Sequence, residues 1–325
     1  MTDYRLVASR FGGSEVIERQ DFVPEPPASG EVRVRHTALG VNFIDIYHRQ
    51  GLYPQPLPAR LGVEAAGIID AIGDGVNGLH IGQRVGYIAS APGSYATRRT
   101  VAADQLIPLP TEIGDELAAA ALLKGLTAEM LILRCAKVEA GQYALVHAAA
   151  GGVGIILVQW LSALGVNVIA HAGSARKAAL ARDAGAALSL DCSFDALAGH
   201  VRDYTKGIGA DVSFDGIGAA SWAASLASLR KRGLLVSFGN ASGPVPPIAP
   251  LDLGRAGSLF LTRPTVYDYL VTPEDRRNAA TRLFDILQSG QVRVDIGQRF
   301  SLADSAKAHD ALERRQTTGS TILTL

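Results

Sequence analysis

In the first third of the chain, apolar and polar positions alternate in short runs broken by glycine and proline, over residues 5–9, 31–37, 67–72 and 83–89. A period of two is the mark of a half-buried strand, so this region is expected to be mostly antiparallel β structure. Around residue 117 the pattern changes to an Ala/Leu-rich stretch, 117–135, whose length and periodicity predict a helix and a domain boundary. From Gly141 onward, apolar strand-like runs (144–148, 166–170, 188–190, 211–215, 234–238) alternate with helical ones (152–164, 174–184, 219–229). Alternation sustained over that length predicts a doubly wound parallel sheet with right-handed crossovers.

After a proline-rich loop at 243–250 comes an apolar strand, 258–262, and then a helix with Thr272 as N-cap, Pro273 at its first position and Gly290 as its stop. Residues 292–325 supply a strand, a helix through Arg315 and a terminal strand that can close back on the first domain. The fold class is therefore α/β, with two domains. Residues 1–122 and 263–325 are assigned to the β domain and 123–262 to the doubly wound domain.

The chain has 325 residues, more than one hydrophobic core usually organises, which agrees with two domains. Lys+Arg and Asp+Glu balance at 31 each, so no overall positive field exists to attract nucleic acid or an anionic membrane. A small-molecule partner is expected. No apolar run is long enough to cross a bilayer, and the N-terminus lacks a basic segment followed by an apolar one, so the expected location is cytosolic. Cys135 and Cys192 lie far apart with no CxxC or CxxH neighbour, which argues against a disulfide framework and a cysteine-ligated zinc.

The most informative segment is HAAAGGVG, residues 147–154, between a predicted strand and a predicted helix. Aligned on GxGxxG, Ala149 replaces the first glycine, Gly151 is the second and Gly154 the third, with Gly152 and Val153 between them. In that context Gly151 lets a pyrophosphate approach the backbone, Gly154 lets the helix pack on the strand, and the helix N-terminus offers N–H groups to the phosphates. The alternative is a plain β-to-α turn. About 20 residues further on, a site for NADH places an acidic residue on the ribose 2′-hydroxyl. This chain has Ala172 and Gly173 there, then Ser174, Arg176 and Lys177, a hydroxyl and two cations that suit the 2′-phosphate of NADPH.

Together with NFIDIY (42–47), GLYP (51–54), GVEAAG (62–67), KGLTA (124–128), SFGNASG (237–243), TRP (262–264) and TGS (318–320), this segment resembles the quinone oxidoreductase branch of the medium-chain dehydrogenase/reductases, the branch that includes zeta-crystallin. The resemblance spans the chain in order. It implies a GroES-like catalytic domain built from both chain ends, a Rossmann domain between, and NADPH extended in a cleft. By similarity, Asn42, Asp45, Tyr47 and Tyr53 are the expected catalytic and acceptor-lining residues. Ile44, Lys124, Thr127, Phe238, Gly239, Asn240, Ser242, Arg263 and Ser320 join Gly151 to Gly154 and the 173–177 segment as expected cofactor contacts.

The zinc-dependent relatives hold their metal with a Cys, the His of a GHE motif and a further Cys. Here that motif reads Gly62, Val63, Glu64, so no metal is expected. Two departures from close relatives concern cofactor affinity and acceptor shape. Asp191 and Cys192 stand where a tyrosine approaches the 2′-phosphate, and Glu129 and Met130 replace a tyrosine pair. The expected reaction is hydride transfer from NADPH to a quinone. Reduction of an enone or enoyl C=C bond is its nearest competitor, and NADPH binding without turnover is a second. The resemblance also implies a homodimer, for which the apolar 258–262 strand, if it lies at a sheet edge, offers a pairing surface.

Overall fold

The alternating runs of the N-terminal third fold as strands in the computed structural model, which describes residues 2–325. In order they are β1 (Tyr4–Ala8), β2 (Ile17–Asp21), β3 (Glu31–Val41), β4 (Ala59–Arg60), β5 (Glu64–Ile72), β6 (Arg84–Ile88), β7 (Arg98–Ala102) and β8 (Ile107–Pro108). Among the described residues one α-helix interrupts them, α1 (Phe43–Gln50). Sequence periodicity gave no sign of it, because α1 buries Asp45, His48 and Arg49 along with Ile46 and Tyr47 and so hides its apolar stripe. The Ala/Leu-rich stretch is α2 (Asp115–Glu129), continued as a π-helix over Met130–Ala136.

The alternating region beyond Gly141 contains β9 (Tyr143–His147), α3 (Gly152–Ala163), β10 (Asn167–His171), α4 (Ala175–Asp183), β11 (Leu188–Leu190), α5 (Phe194–Tyr204), β12 (Ala210–Asp215), α6 (Trp222–Ser228), β13 (Leu229–Ser237), α7 (Pro250–Arg255), β14 (Phe260–Thr262) and α8 (Val266–Tyr269). Its six strands pair in parallel in the order β11-β10-β9-β12-β13-β14. The order reverses between β9 and β12, which is the switch point where open α/β sheets bind ligands at their C-terminal edge. β9 is buried from Ala144 to His147, as a strand covered on both faces must be.

The chain ends with α9 (Pro273–Gln288), β15 (Ile296–Ser301), α10 (Ser305–Glu313) and β16 (Ser320–Thr324). Thr272 caps α9 as expected, its Oγ1 accepting Asp275 N–H at 3.0 Å. β16 runs antiparallel to β3, Thr321 opposite Val41, in a sheet ordered β15-β16-β3-β5-β6-β8 with β7 also on β3. β2, β1 and β4 form a separate small sheet.

The chain divides into two units. The first contains the residues up to Lys124, Leu270–Phe284 and Val294–Leu325; the second contains Gly125–Tyr269 and Asp285–Arg293. Residues 263–269, assigned from sequence to the β domain, sit with the second unit. Arg263 donates to Ser237 O at 2.9 Å and Arg134 to Tyr269 O at 3.2 Å. Residues 285–293 join them, tied by paired bonds between Gln159 and Arg293. Each unit has its own core: Val34, Leu39, Ile69, Val85 and Tyr87 belong to the first, and Leu145, Ile169, Leu197, Val201 and Leu235 to the second.

Candidate functional site

In the second unit β9 leads into a tight turn closed by Gly151 N–H donating to Ala148 O at 2.8 Å, and α3 starts at Gly152. The left-handed backbone of this turn falls on Ala148, φ 49°, and not on Ala149, so the fingerprint position without glycine does not need one. Gly154 has no such freedom. A Cβ there would overlap the Ala148 carbonyl oxygen, so only glycine lets α3 lie this close to the turn. The opening N–H groups of α3, from Gly152, Val153 and Gly154, precede the first intrahelical acceptors and stand at the positive end of the helix dipole. That is a cradle for a pyrophosphate.

The second strand of the unit, β10, ends at His171, and Gly173 and Ser174 follow it into α4. Ser174 is the N-cap, its Oγ accepting from Lys177 N at 3.4 Å. Arg176 is exposed and Lys177 half-buried on the first turn, with no carboxylate among residues 172–177. The hydroxyl and the two cations expected from sequence therefore share one helix start.

At the ends of β12 and β13, a buried carboxylate that the sequence reading did not single out organises the loops. Asp215 accepts Ile217 N–H at 2.8 Å, Gly218 N–H at 3.1 Å, Ser221 Oγ at 2.7 Å and Ser225 Oγ at 2.6 Å. Ser225 in turn accepts from His147 Nε2 at 2.9 Å. Burial pushes His147 down to about 4, so the imidazole is neutral at pH 7, with its hydrogen on Nε2. Because Ser225 donates its hydrogen to Asp215, this trio is a structural clamp and not a nucleophile with its base. The loop carrying Phe238, Gly239, Asn240 and Ser242 bonds to the end of β12 and the loop after it, Phe238 N–H donating to Asp215 O at 2.8 Å and Ser242 N–H to Ile217 O at 2.7 Å, with Arg263 bonded to the end of β13. The Ser242 hydroxyl is occupied by backbone, donating to Ile217 O at 2.8 Å and accepting from Ala220 N at 3.0 Å. Thr127 lies half-buried on α2.

In the first unit, Asn42 caps α1, and its backbone N–H donates to Asp45 Oδ2 at 2.8 Å. Tyr95 Oη donates to the same oxygen at 3.2 Å, while Oδ1 of Asp45 is buried without a partner. Burial holds the Asp45 carboxyl up at about 7, reinforced by the Glu64 carboxylate and opposed by the Asn42 and Tyr95 hydrogen bonds and by Lys124. With Oδ2 already serving two donors, the proton it carries below that pH belongs on Oδ1. Tyr47 and Tyr53 meet edge to face at 5.4 Å, a paired aromatic surface. Ile44 is half-buried on the same helix. Lys124 stands 3.6 Å from Glu64. Ser320 is buried, its hydroxyl donating to Ala120 O at 2.8 Å, which ties β16 to α2. Among the described residues, no group of three or more His, Cys, Asp or Glu is placed to hold a metal ion.

Residues 28–111 match the family model described as an alcohol dehydrogenase GroES-like domain, and residues 152–285 the model described as a zinc-binding dehydrogenase. A quinone oxidoreductase of Pseudomonas aeruginosa is 45% identical over 98% of both chains. The solved structure of the Escherichia coli quinone oxidoreductase complexed with NADPH superposes with a TM-score of 0.95 at 41% identity, covering 99% of this chain and 100% of that one. A 2-haloacrylate reductase of a Burkholderia species is 38% identical over 98% of this chain and 97% of its own length.

Proposed function

We propose that this chain, which belongs to the quinone oxidoreductase branch of the medium-chain dehydrogenase/reductase superfamily, reduces a quinone with NADPH and without a metal. The observation that carries this reading is the Ala148–Gly154 turn. It is a phosphate cradle formed because Gly154, where any Cβ would overlap the Ala148 carbonyl, lets α3 start against the turn, in a chain similar from end to end to named quinone oxidoreductases.

NADPH fits the residues of the second unit. Gly151, Gly152, Val153 and Gly154 hold the pyrophosphate. Gly173, Ser174, Arg176 and Lys177 take the 2′-phosphate, where a carboxylate would repel it. Phe238, Gly239, Asn240, Arg263 and Thr127 lie toward the nicotinamide end. When bound, NADPH supplies a hydride. The first unit positions the acceptor: Tyr47 and Tyr53 offer aromatic surface to a flat ring, and Asp45 stores a proton at Oδ1 up to near neutral pH. No strong general acid is required, because a reduced quinone oxygen is itself a stabilised anion that water can protonate. The work of these residues is orientation and exclusion of solvent.

The acceptor is a small molecule, the protein works in the cytosol, and it forms a homodimer. Support for the dimer is that β14 is the outer strand of its sheet and that Phe260 on it is 60% exposed.

The similarity to 2-haloacrylate reductase favours a second reading, reduction of an activated C=C bond by the same cofactor. Loss of nicotinamide absorbance in the presence of a panel of soluble quinones and enones separates the two. Quinones are expected to be the faster acceptors, and turnover confined to enones would replace the first reading by the second.

A further inference from the structure

Glu64 is fully buried on β5 between Val63 and Ala65, in a run that is otherwise apolar or glycine. A carboxylate in such a place carries a desolvation penalty that an alanine would not, and burial does push its carboxyl upward. Gly40 on β3 makes room for it, since a Cβ at that position would overlap the Glu64 carboxylate. Both oxygens are in use. Oε1 accepts Leu123 N–H at 2.7 Å, and Oε2 accepts Asn42 Nδ2 at 2.8 Å. Lys124 Nζ stands 3.6 Å from Oε2, close enough for charge pairing and too far for a hydrogen bond. Lys124 is 6% exposed, and its ammonium is buried with no hydrogen-bond partner within the protein. Burying three N–H donors without acceptors is costly, so a bound molecule is expected to supply the oxygen.

An amide presents its NH2 to one side and its oxygen to the other. Glu64 takes the NH2 of Asn42, which fixes Oδ1 on the far side; Glu64 also supplies the negative charge that balances Lys124. We propose that Glu64 is a positioning residue: it sets Asn42 as an acceptor and Lys124 as a donor toward the carboxamide and ribose hydroxyls at the nicotinamide end of NADPH. This rests on the reading of the chain as an NADPH-dependent reductase.

The test compares Glu64→Gln, Asn42→Asp and the double variant by NADPH Kd from nicotinamide fluorescence, with KM for NADPH and for a soluble quinone alongside. Glu64→Gln sets an NH2 against the Asn42 NH2 and removes the charge beside Lys124; Asn42→Asp sets carboxylate against carboxylate. Each is expected to raise the NADPH Kd about tenfold, with the KM for quinone nearly unchanged. In the double variant Asp accepts from Gln, an oxygen again faces outward and a negative charge again lies beside Lys124, so Kd should return to within about threefold of native. Single variants that bind NADPH normally, or a double variant as weak as the sum of both, would overturn the positioning role. If Glu64→Gln does not fold, the double variant against Lys124→Met carries the comparison, with Lys124→Met about tenfold weaker and the double variant near native. A native protein that fails to bind NADPH at all overturns the functional reading instead.

Discussion

Tyr95 Oη lies between His309 Nε2, at 3.1 Å, and Asp45 Oδ2, at 3.2 Å, and the direction of both hydrogen bonds is set by a third residue. Arg49, fully buried and paired with Glu313, donates to His309 Nδ1 at 3.2 Å. An arginine has no acceptor to offer, so the imidazole hydrogen must sit on Nε2 and point at Tyr95, which then donates to Asp45. The array cannot pass a proton in from Glu313, because Arg49 keeps the Nδ1 lone pair occupied; it is a fixed chain of donors. Tyr95→Phe leaves His309 Nε2–H unpaired and takes one donor from Asp45. It is expected to destabilise the fold by about 1–3 kcal/mol in denaturant unfolding, and a loss near zero would contradict this account.

Burial pushes His36, His48 and His147 down to about 4 and His309 to about 3. The unfolded chain takes up protons on these groups as pH falls through about 6.5 while the folded chain does not, so stability drops from there toward pH 4. Asp45 opposes them with one proton. Its folded value near 7 lies above the ordinary carboxylate range, so over the same window it is the folded state that holds the extra proton. Glu64, also pushed up by burial, acts in the same sense as Asp45; four groups outweigh two, and the denaturant midpoint should be higher at pH 7 than at pH 5. Asp45→Asn removes the opposing contribution and should steepen that dependence; an unchanged profile would show that Asp45 is ionised throughout.

The parallel sheet was legible because a strand buried on both faces, such as β9, is written as an unbroken apolar run, and because Gly151 and Gly154 mark a turn whose geometry few other residues permit. α1 was not legible. Its buried Asp45 and Arg49 read as surface residues, and the partners that explain them, Tyr95 for Asp45 and His309 and Glu313 for Arg49, lie 50, 260 and 264 positions away. Glu64 left one signal, a carboxylate in an otherwise apolar run. Nothing in the sequence tells that Ser242 and Ser320 are occupied by backbone carbonyls, since a hydroxyl on a loop looks the same whether it meets a ligand or its own chain.

Gly154→Ala tests the cradle. The added methyl must displace either the Ala148 carbonyl or the start of α3, at about 1–3 kcal/mol of stability. Because both carry the phosphate-facing backbone, NADPH Kd should rise about tenfold or more. Unchanged affinity in a folded variant would place the pyrophosphate elsewhere.

Lys177→Ala tests the 2′-phosphate. Loss of one charge-assisted contact is expected to raise the Kd for NADPH roughly tenfold while leaving that for NADH within about twofold. An equal effect on the two cofactors would assign Lys177 to the helix surface alone.

The account rests most directly on turnover. The purified chain, given NADPH and a soluble quinone with a metal chelator present, should consume NADPH at a rate that follows quinone concentration and saturates, with NADH markedly slower. NADPH consumption that is absent with every quinone tried, or that requires added zinc, would contradict it.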